Sequence, residues 1–395
     1  MAAAVSERTI TTSEQLEEAL RGAVSGSGAT VNSKTAMQVA AVYACIRIIS
    51  GAVTNAPLHI KRRVGDRRED ASDLALWRLL RKRPNRFQTA RQFRRAMQVD
   101  VLGEWGNGYA HITKNMKGEP IQLLRLDPSM VDIKQNPDQS KVFEFRRKDG
   151  QTITYQQDEI FHLFGLTLDG VQGIGPIRYA RETIGDSITL AQHGSTVFKN
   201  GARVSGVFET DKTIGQEGVA DLKESMRQFR AGGENEGKDM VLEDGLKYKA
   251  MALSAQDAQW MEARAFGRTD IGMFYGVPPH MLGVTEKATS WGSGIEEQSL
   301  GFAVYSLEDH LTMWEDAIDA HLTAGDDDVY ARFNRAAMIR SDTGKRKEFY
   351  AGMMQWGVMS PNEVRALEDM NPRAGGDVYY DPPNTAGTPA KENQK

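Results

Sequence analysis

The sequence predicts a mainly helical α+β protein built from more than one packed unit. Three observations carry that reading. The chain has 395 residues, roughly two to three times the usual size of one domain. Apolar residues recur at three- and four-residue steps over long stretches, the signature of amphipathic helices. Between Gly108 and Leu166 that pattern gives way to short β-rich segments separated by turn residues.

Composition bounds the function before any motif is read. With 26% charged and 40% apolar residues, the chain can bury a core, which excludes wholesale disorder. The net charge of −4 argues against a free-standing nucleic-acid binder, because affinity for phosphates needs a clustered excess of Lys and Arg. Local clusters remain open. Cys45 is the single cysteine, so an internal disulfide framework and multi-cysteine metal sites are excluded. In its apolar run Ala40 to Ile46, a small buried thiol is expected. The opening Met1 to Glu7 lacks the basic start and apolar centre of a secretory signal, and no uncharged apolar stretch reaches the ~18 residues of a membrane span. A cytoplasm-like compartment and no membrane partner are therefore expected.

Taken in order, residues 1–34 are rich in Ala, Ser, Thr and Gly and read as a loosely held arm. From Thr35 to Ala56, Val39, Val42, Tyr43, Ile46, Ile49 and Val53 predict an amphipathic helix that Pro57 closes. The stretch from Lys61 to Arg95 holds thirteen Lys or Arg against four Asp or Glu. It reads either as a nucleic-acid patch or as solvated helix faces and a subunit contact, because Leu74, Leu76, Trp77, Leu79, Leu80, Phe93, Met97 and Val101 interleave it. Strands are predicted at Tyr109 to Thr113, Ile121 to Leu126, Val142 to Arg146, Ile153 to Tyr155 and Ile160 to Leu163, forming one small antiparallel sheet.

Pro176 suits the first turn of a long helix that runs to Lys199 and stops at Asn200-Gly201. A compact insertion follows: a strand from Val204 to Glu209, a polar helix from Gln216 to Arg230, and a hairpin-like pair at Met240 to Leu242 and Lys247 to Met251. A second helix is predicted from Ala255 to Tyr275, ended by Pro278-Pro279. Beyond a Gly/Ser/Thr-rich loop, Ile295 to Leu322 reads as a third long helix, with shorter helices near Arg340 to Trp356 and Pro361 to Glu368. The end of the Gly- and Pro-rich tail from Asn371 to Lys395 is expected to be disordered.

No catalytic constellation is legible. Gly232, Gly237 and Lys238 match a phosphate loop by spacing, but Asp239 stands where a magnesium-ligating hydroxyl is required. No two of the seven histidines lie four apart, and there is no Gly-x-Ser-x-Gly elbow. Asp326-Asp327-Asp328 reads more readily as a solvated acidic loop than as a metal cluster. The expectation is a protein that is not an enzyme and holds no cofactor or metal.

Several collinear segments resemble the portal proteins of HK97-type tailed phages. They are Ala41 to Arg47 with Pro57-Leu58, Arg83-Pro84-Asn85 with Phe93, Gly106 to Ala110, Leu126-Asp127-Pro128, Gly173 to Ile177, and Phe198 to Ala202. Gly245 to Tyr248, Phe274 to Gly283, Glu296 to Ser299 and Asn362 to Arg365 complete the set, which runs from Ala41 to Asn384. Residues 1–34 and the acidic segment Asp326 to Asp328 match no part of the pattern.

The resemblance implies a portal fold. Beyond a flexible arm (1–34) it would comprise an α/β wing (35–175), a stem helix (176–200), an α/β clip (201–254) and a second stem helix (255–277). A tunnel-loop region (278–296), a long wing helix (297–334), a helical crown (335–370) and a flexible tail (371–395) would follow. It further implies a homo-oligomeric ring, a dodecamer, at one vertex of the virion's capsid and assembled in the host cytoplasm. Double-stranded DNA would pass through it without sequence readout during packaging and ejection. Its other partners would be the terminase large subunit, head-completion or adaptor proteins and the major capsid protein. In the tunnel loop, Lys287 would meet passing phosphates, flanked by Thr289 and Ser290, while Trp291 packs between neighbouring loops. A surface loop without a DNA role is the alternative there. For the whole chain the competing readings are another structural capsid or head–tail connector protein and, more distantly, a packaging ATPase or nuclease.

Overall fold

The structure is a computed structural model. It describes residues 24–199, 207–210, 215, 218, 220–222, 224, 247–249, 266–284, 292–323, 325–335, 343–368 and 370–380. Contacts divide the chain into two units, residues 1–54 with 59–332, and residues 55–58 with 333–395.

The first unit opens with a short helix α1 (Ser33–Ala36) and the amphipathic helix α2 (Ala40–Asn55). Asn32 caps α1 in a reciprocal box with Thr35, and Val42, Cys45, Ile46, Ile49 and Val53 form the buried stripe of α2. Burial pushes the Cys45 thiol up to about 12, so it stays a neutral apolar packing group.

The basic stretch begins with a strand pair that the sequence reading missed, β1 (Leu58–Val64) and β2 (Arg67–Asp70). Gly65 turns the chain at φ +58°, a backbone region that glycine enters freely. Charges at most positions hide the alternation that normally marks a strand. A further unpredicted strand, β11 (Val329–Phe333), completes a sheet ordered β11-β1-β2. Helices α3 (Ala75–Arg81) and α4 (Ala90–Val101) follow where the apolar spacing placed them, α4 with a Thr89–Gln92 capping box.

Between Asn107 and Phe164 there are two three-stranded antiparallel sheets rather than one. The first orders β4 (Pro120–Leu126), β3 (Asn107–Lys114) and β8 (Ile160–Phe164). The second orders β5 (Val131–Gln135), β6 (Lys141–Arg146) and β7 (Thr152–Gln156). They share a core of Tyr109, Leu126, Phe143 and Ile160, each side chain contributing about 1.5–3 kcal/mol by leaving water. A cluster fed from four strands forms only once the strands have paired, which is why local pattern could not partition them.

Helix α5 (Pro176–Tyr179) leads into α6 (Arg181–Lys199), so the predicted long helix is interrupted at Ala180. Of the insertion, β9 (Val207–Glu209) pairs antiparallel with β10 (Lys247–Lys249), and residues 218, 220–222 and 224 are helical. Met240 to Leu242 lies outside the described residues. The second predicted helix is described and helical over residues 266–275. The third runs as α7 (Gly292–Gly301), a π-helical turn (Phe302–Leu307) and α8 (Glu308–Leu322). Trp314 of α8 is fully buried, its ring 5.7 Å from that of Phe161 on β8.

The stretch read as a loose arm is packed where it is described. Ser25, Ala29 and Val31 are buried, and the Gly26 N–H donates to Glu182 Oε2 at 2.7 Å. Gly185 of α6 makes room, since a Cβ there would meet Ser25 Oγ at 2.1 Å. The anchor lies far along the chain, so composition near residue 25 carried no sign of it.

In the second unit, α9 (Thr343–Gln355) and α10 (Pro361–Leu367) are tied by a Tyr350 hydroxyl that donates to Glu368 at 2.5 Å. Ser360 caps α10, and Asn362 fixes the following segment through Arg373 and Asp377.

Candidate functional site

The residues expected to line a channel, Lys287, Thr289, Ser290 and Trp291, lie outside the described residues. What is described is the frame on either side of the segment carrying them: the base of α6, the helix 266–275 and the turn that follows it.

The frame begins where two backbone segments cross. A Cβ on Gly175 would sit 1.7 Å from the Glu104 carbonyl oxygen, one on Gly106 2.3 Å from the Ile174 carbonyl carbon, and one on Gly173 2.2 Å from the Gly106 oxygen. Only glycine permits this approach, and Gly106 also takes φ +72°. Asn107 locks the crossing. Its Nδ2 donates to the Trp105 carbonyl at 2.6 Å and the Gly173 carbonyl at 3.3 Å, while its Oδ1 accepts from the Gly173 N–H at 2.7 Å.

The remaining bond to Oδ1 fixes a tautomer. His162 Nε2 lies 3.0 Å from Asn107 Oδ1, and because that oxygen can only accept, the imidazole carries its hydrogen on Nε2. Burial drives the His162 pKa well below the ordinary histidine range, reinforced by Lys141 and His321, so the ring is neutral. It is held between the Tyr109 and Phe164 rings at 4.8 and 4.5 Å. The crossing then delivers the chain to Gly175 as N-cap and Pro176 as first helical residue. Arg178 covers the Trp105 ring at 5.0 Å.

The returning helix is fastened nearby. The Tyr275 hydroxyl donates to the Leu102 carbonyl at 3.2 Å, two residues before Glu104 of the crossing. Gly267 faces Ser187 of α6, a Cβ there meeting Ser187 Oγ at 3.1 Å, so the two helices approach through small residues. Ile184 and Ile271 are fully buried. Gly276, at φ +64°, ends the helix, and its carbonyl accepts from Ser306 Oγ at 2.6 Å. His280 and Ser299 are 3.3 Å apart, joining the turn Pro279–Leu282 to α7. Both sides of the segment that contains Lys287 and Trp291 are therefore tethered.

Much of the surface around this frame is apolar. Phe266, Met273 and Phe274 on the returning helix, and Leu300, Val304 and Tyr305 around the π turn, are exposed large hydrophobics. Among the described residues, no group of three His, Cys, Asp or Glu side chains is placed to hold a metal, and no helix is long and apolar enough to cross a membrane.

The sequence reading placed Tyr275 at the end of a helix and quoted Gly106, Gly173, Gly175 and Gly276 within the resemblance, but it gave none of them a part in a backbone crossing. His162 was read only as one of seven histidines without metal-ligand spacing, within a predicted strand. The usable signal was two glycine pairs spaced by one residue, each beside a predicted strand or helix end.

Comparison with known proteins agrees with this framework. The family model described as phage portal protein matches residues 40–369. The portal protein of Enterobacteria phage HK97 is 33% identical over 366 residues, covering 90% of this chain and 85% of that protein. The probable portal protein of Streptomyces phage phiC31 is 32% identical over 368 residues, covering 90% and 79%. Among solved structures, a chain of the virion of a native gene transfer agent particle superposes with TM-score 0.62 at 21% identity, covering 86% of this chain and 92% of that one. An HK97 family phage portal protein from Corynebacterium diphtheriae gives TM-score 0.55 at 15% identity, covering 78% and 96%. The fold is thus shared well beyond the reach of sequence identity. On a family match that spans most of its length and two relatives above 30% identity, the chain belongs to the phage portal protein family.

Proposed function

We propose that the chain assembles into a dodecameric ring at one vertex of a tailed-phage capsid and that double-stranded DNA passes through its centre during packaging and ejection. The observation that carries this reading is the helix pair, α6 and residues 266–275, rooted at one rigid crossing and flanked by exposed apolar side chains. Copies packed side by side bury those side chains and leave a central hole, which a lone subunit cannot do. The solved neck of a native gene transfer agent particle, computed with C12 symmetry, superposes with TM-score 0.61 and supports twelve copies.

In this reading residues 201–254 form the clip where the terminase large subunit and later the adaptor proteins dock. The major capsid protein surrounds the ring, which is assembled in the host cytoplasm and performs no catalysis itself. Lys287 meets passing phosphates and Trp291 packs between neighbouring loops, with Thr289 and Ser290 beside them. A duplex that must slide requires weak, symmetry-repeated contacts without base readout. A subunit with net charge −4 suits that demand.

The test is mass measurement and electron microscopy of the purified protein. Hollow twelve-fold annuli are expected, and a monomer that never closes would overturn the proposal. In a purified packaging motor, Lys287→Glu is expected to slow DNA translocation; an unchanged rate would remove Lys287 from the channel.

A further inference from the structure

The sheet β11-β1-β2 has one face that packing does not explain. Ile60, Val329 and Ala331 point into the core. On the opposite face, Lys61, Arg63, Arg68, Tyr330 and Arg332 together line an open cavity of about 360 Å³. No carboxylate and no aliphatic side chain contributes to its wall.

Among the described residues, two of the four cations on this face are paired with carboxylates and two are not. Asp70 holds Lys61 at 3.0 Å and Glu315 holds Arg332 at 3.1 Å. Arg63 and Arg68 have no carboxylate partner among the described residues, yet stand directly opposite each other across β1 and β2. Like charges so placed destabilise a strand pair, and a bound anion would relieve that repulsion. The site is also organised. Arg63 lies 5.3 Å and Arg332 5.5 Å from the centroid of the Tyr330 ring, which limits the rotamers the guanidiniums would lose on binding.

We propose that this face binds the phosphate backbone of double-stranded DNA without sequence preference, through Arg63 and Arg68 flanked by Lys61 and Arg332. Guanidinium forks match phosphate oxygens in pairs. The lining is four cations around one aromatic ring, with no aliphatic pocket to seat an apolar peptide side chain, so an extended polyanion matches it better than a protein segment. The binding is weak by construction. The acidic run Asp326 to Asp328 leads into β11, and the Asp328 carbonyl accepts from the Arg63 N–H at 2.9 Å, so acidic residues adjoin the face in the chain. The proposal rests on the channel reading only for the presence of DNA near the protein.

The experiment uses the assembled full-length protein and a fluorescein-labelled 30-base-pair duplex of arbitrary sequence, followed by anisotropy at 50 to 200 mM NaCl. Arg63→Glu with Arg68→Glu is expected to weaken binding at least about tenfold and to lower the salt slope by about 1.8, two contacts at roughly 0.9 each. Lys117→Glu with Lys148→Glu, an equal charge change elsewhere, is expected to leave the slope near its original value. If the reversed pair disrupts assembly, Arg63→Gln with Arg68→Gln carries the same test in the same direction. Unchanged binding by the arginine variants, or an equal loss in the lysine control, overturns the proposal. Capture of an acidic peptide with no binding of duplex overturns it too, by giving the face a protein ligand. Failure here is distinct from failure of the channel reading, because annuli can form and package DNA whatever this face does.

Discussion

Asn107 and Gly173 exchange two hydrogen bonds, the glycine N–H donating to Asn107 Oδ1 at 2.7 Å and Asn107 Nδ2 donating to the glycine carbonyl at 3.3 Å. One side chain thus imitates the edge of a β-strand and holds the segment that launches α6. The glycines that let the two backbones meet carry no side chain to hold them together, and the Asn107 amide does so.

Replacing that amide tests the lock. Asn107→Ala is expected to cost roughly 2–4 kcal/mol, since it strips partners from buried backbone groups and from His162. Asn107→Asp is expected to cost more at neutral pH, because it turns a carboxylate oxygen toward the Trp105 and Gly173 carbonyls. Urea unfolding midpoints measure both, and an alanine variant within about 0.5 kcal/mol of the parent would show that the crossing holds without the amide.

The steric half of the crossing has its own test. Gly175→Ala places a methyl 1.7 Å from the Glu104 carbonyl oxygen, so the variant is expected to lose at least about 3 kcal/mol or to fail to yield soluble protein. Gly352→Ala in α9 meets nothing within 4 Å and is expected to stabilise that helix by roughly 0.5–1 kcal/mol. Hydrogen exchange over α9 and thermal melts of both variants give the comparison. Equal effects would refute the contact argument.

Acid should weaken the protein through His162. Its folded pKa lies well below 6.5 because of burial, so below pH 6.5 the unfolded chain takes up a proton that the folded one refuses. Stability is then full above that value and falls by about 1.4 kcal/mol per pH unit below it. Burial lowers His310 and His321 as well, steepening the loss. Denaturation midpoints at pH 7.5 and 5.5 are expected to differ, and His162→Gln to narrow the gap; a flat profile in the parent would mean the histidines take up protons equally in the folded and unfolded chain.

A buried polar pair on α4 and α8 makes a separable prediction. Trp314 Nε1 donates to Gln98 Oε1 at 2.8 Å, both side chains fully buried. Gln98→Leu should cost about 1–3 kcal/mol by orphaning the indole N–H. In the double variant with Trp314→Phe, part of that cost should vanish, giving a coupling of at least about 0.5 kcal/mol. Strict additivity would show that the bond contributes nothing.

The sequence by itself determined the helices and most of the strands, because 3.6- and 2-residue periodicities and the Pro and Gly stops act within a few residues. The stripe of α2 and the stop of the returning helix ahead of Pro278-Pro279 were local matters of this kind. The ordered order of motifs such as Gly106 to Ala110 and Gly173 to Ile177 was also enough to point to the family. Tertiary structure alone decided which strands pair, splitting one expected sheet into two around Tyr109 and Phe143. It also revealed the hairpin within the basic stretch, the docking of Ser25 against Gly185, and the meeting of Glu104 with Gly175. Each of these is a contact between segments distant in the chain, or a charged strand whose alternation is masked, and its energy exists only when the second partner is in place.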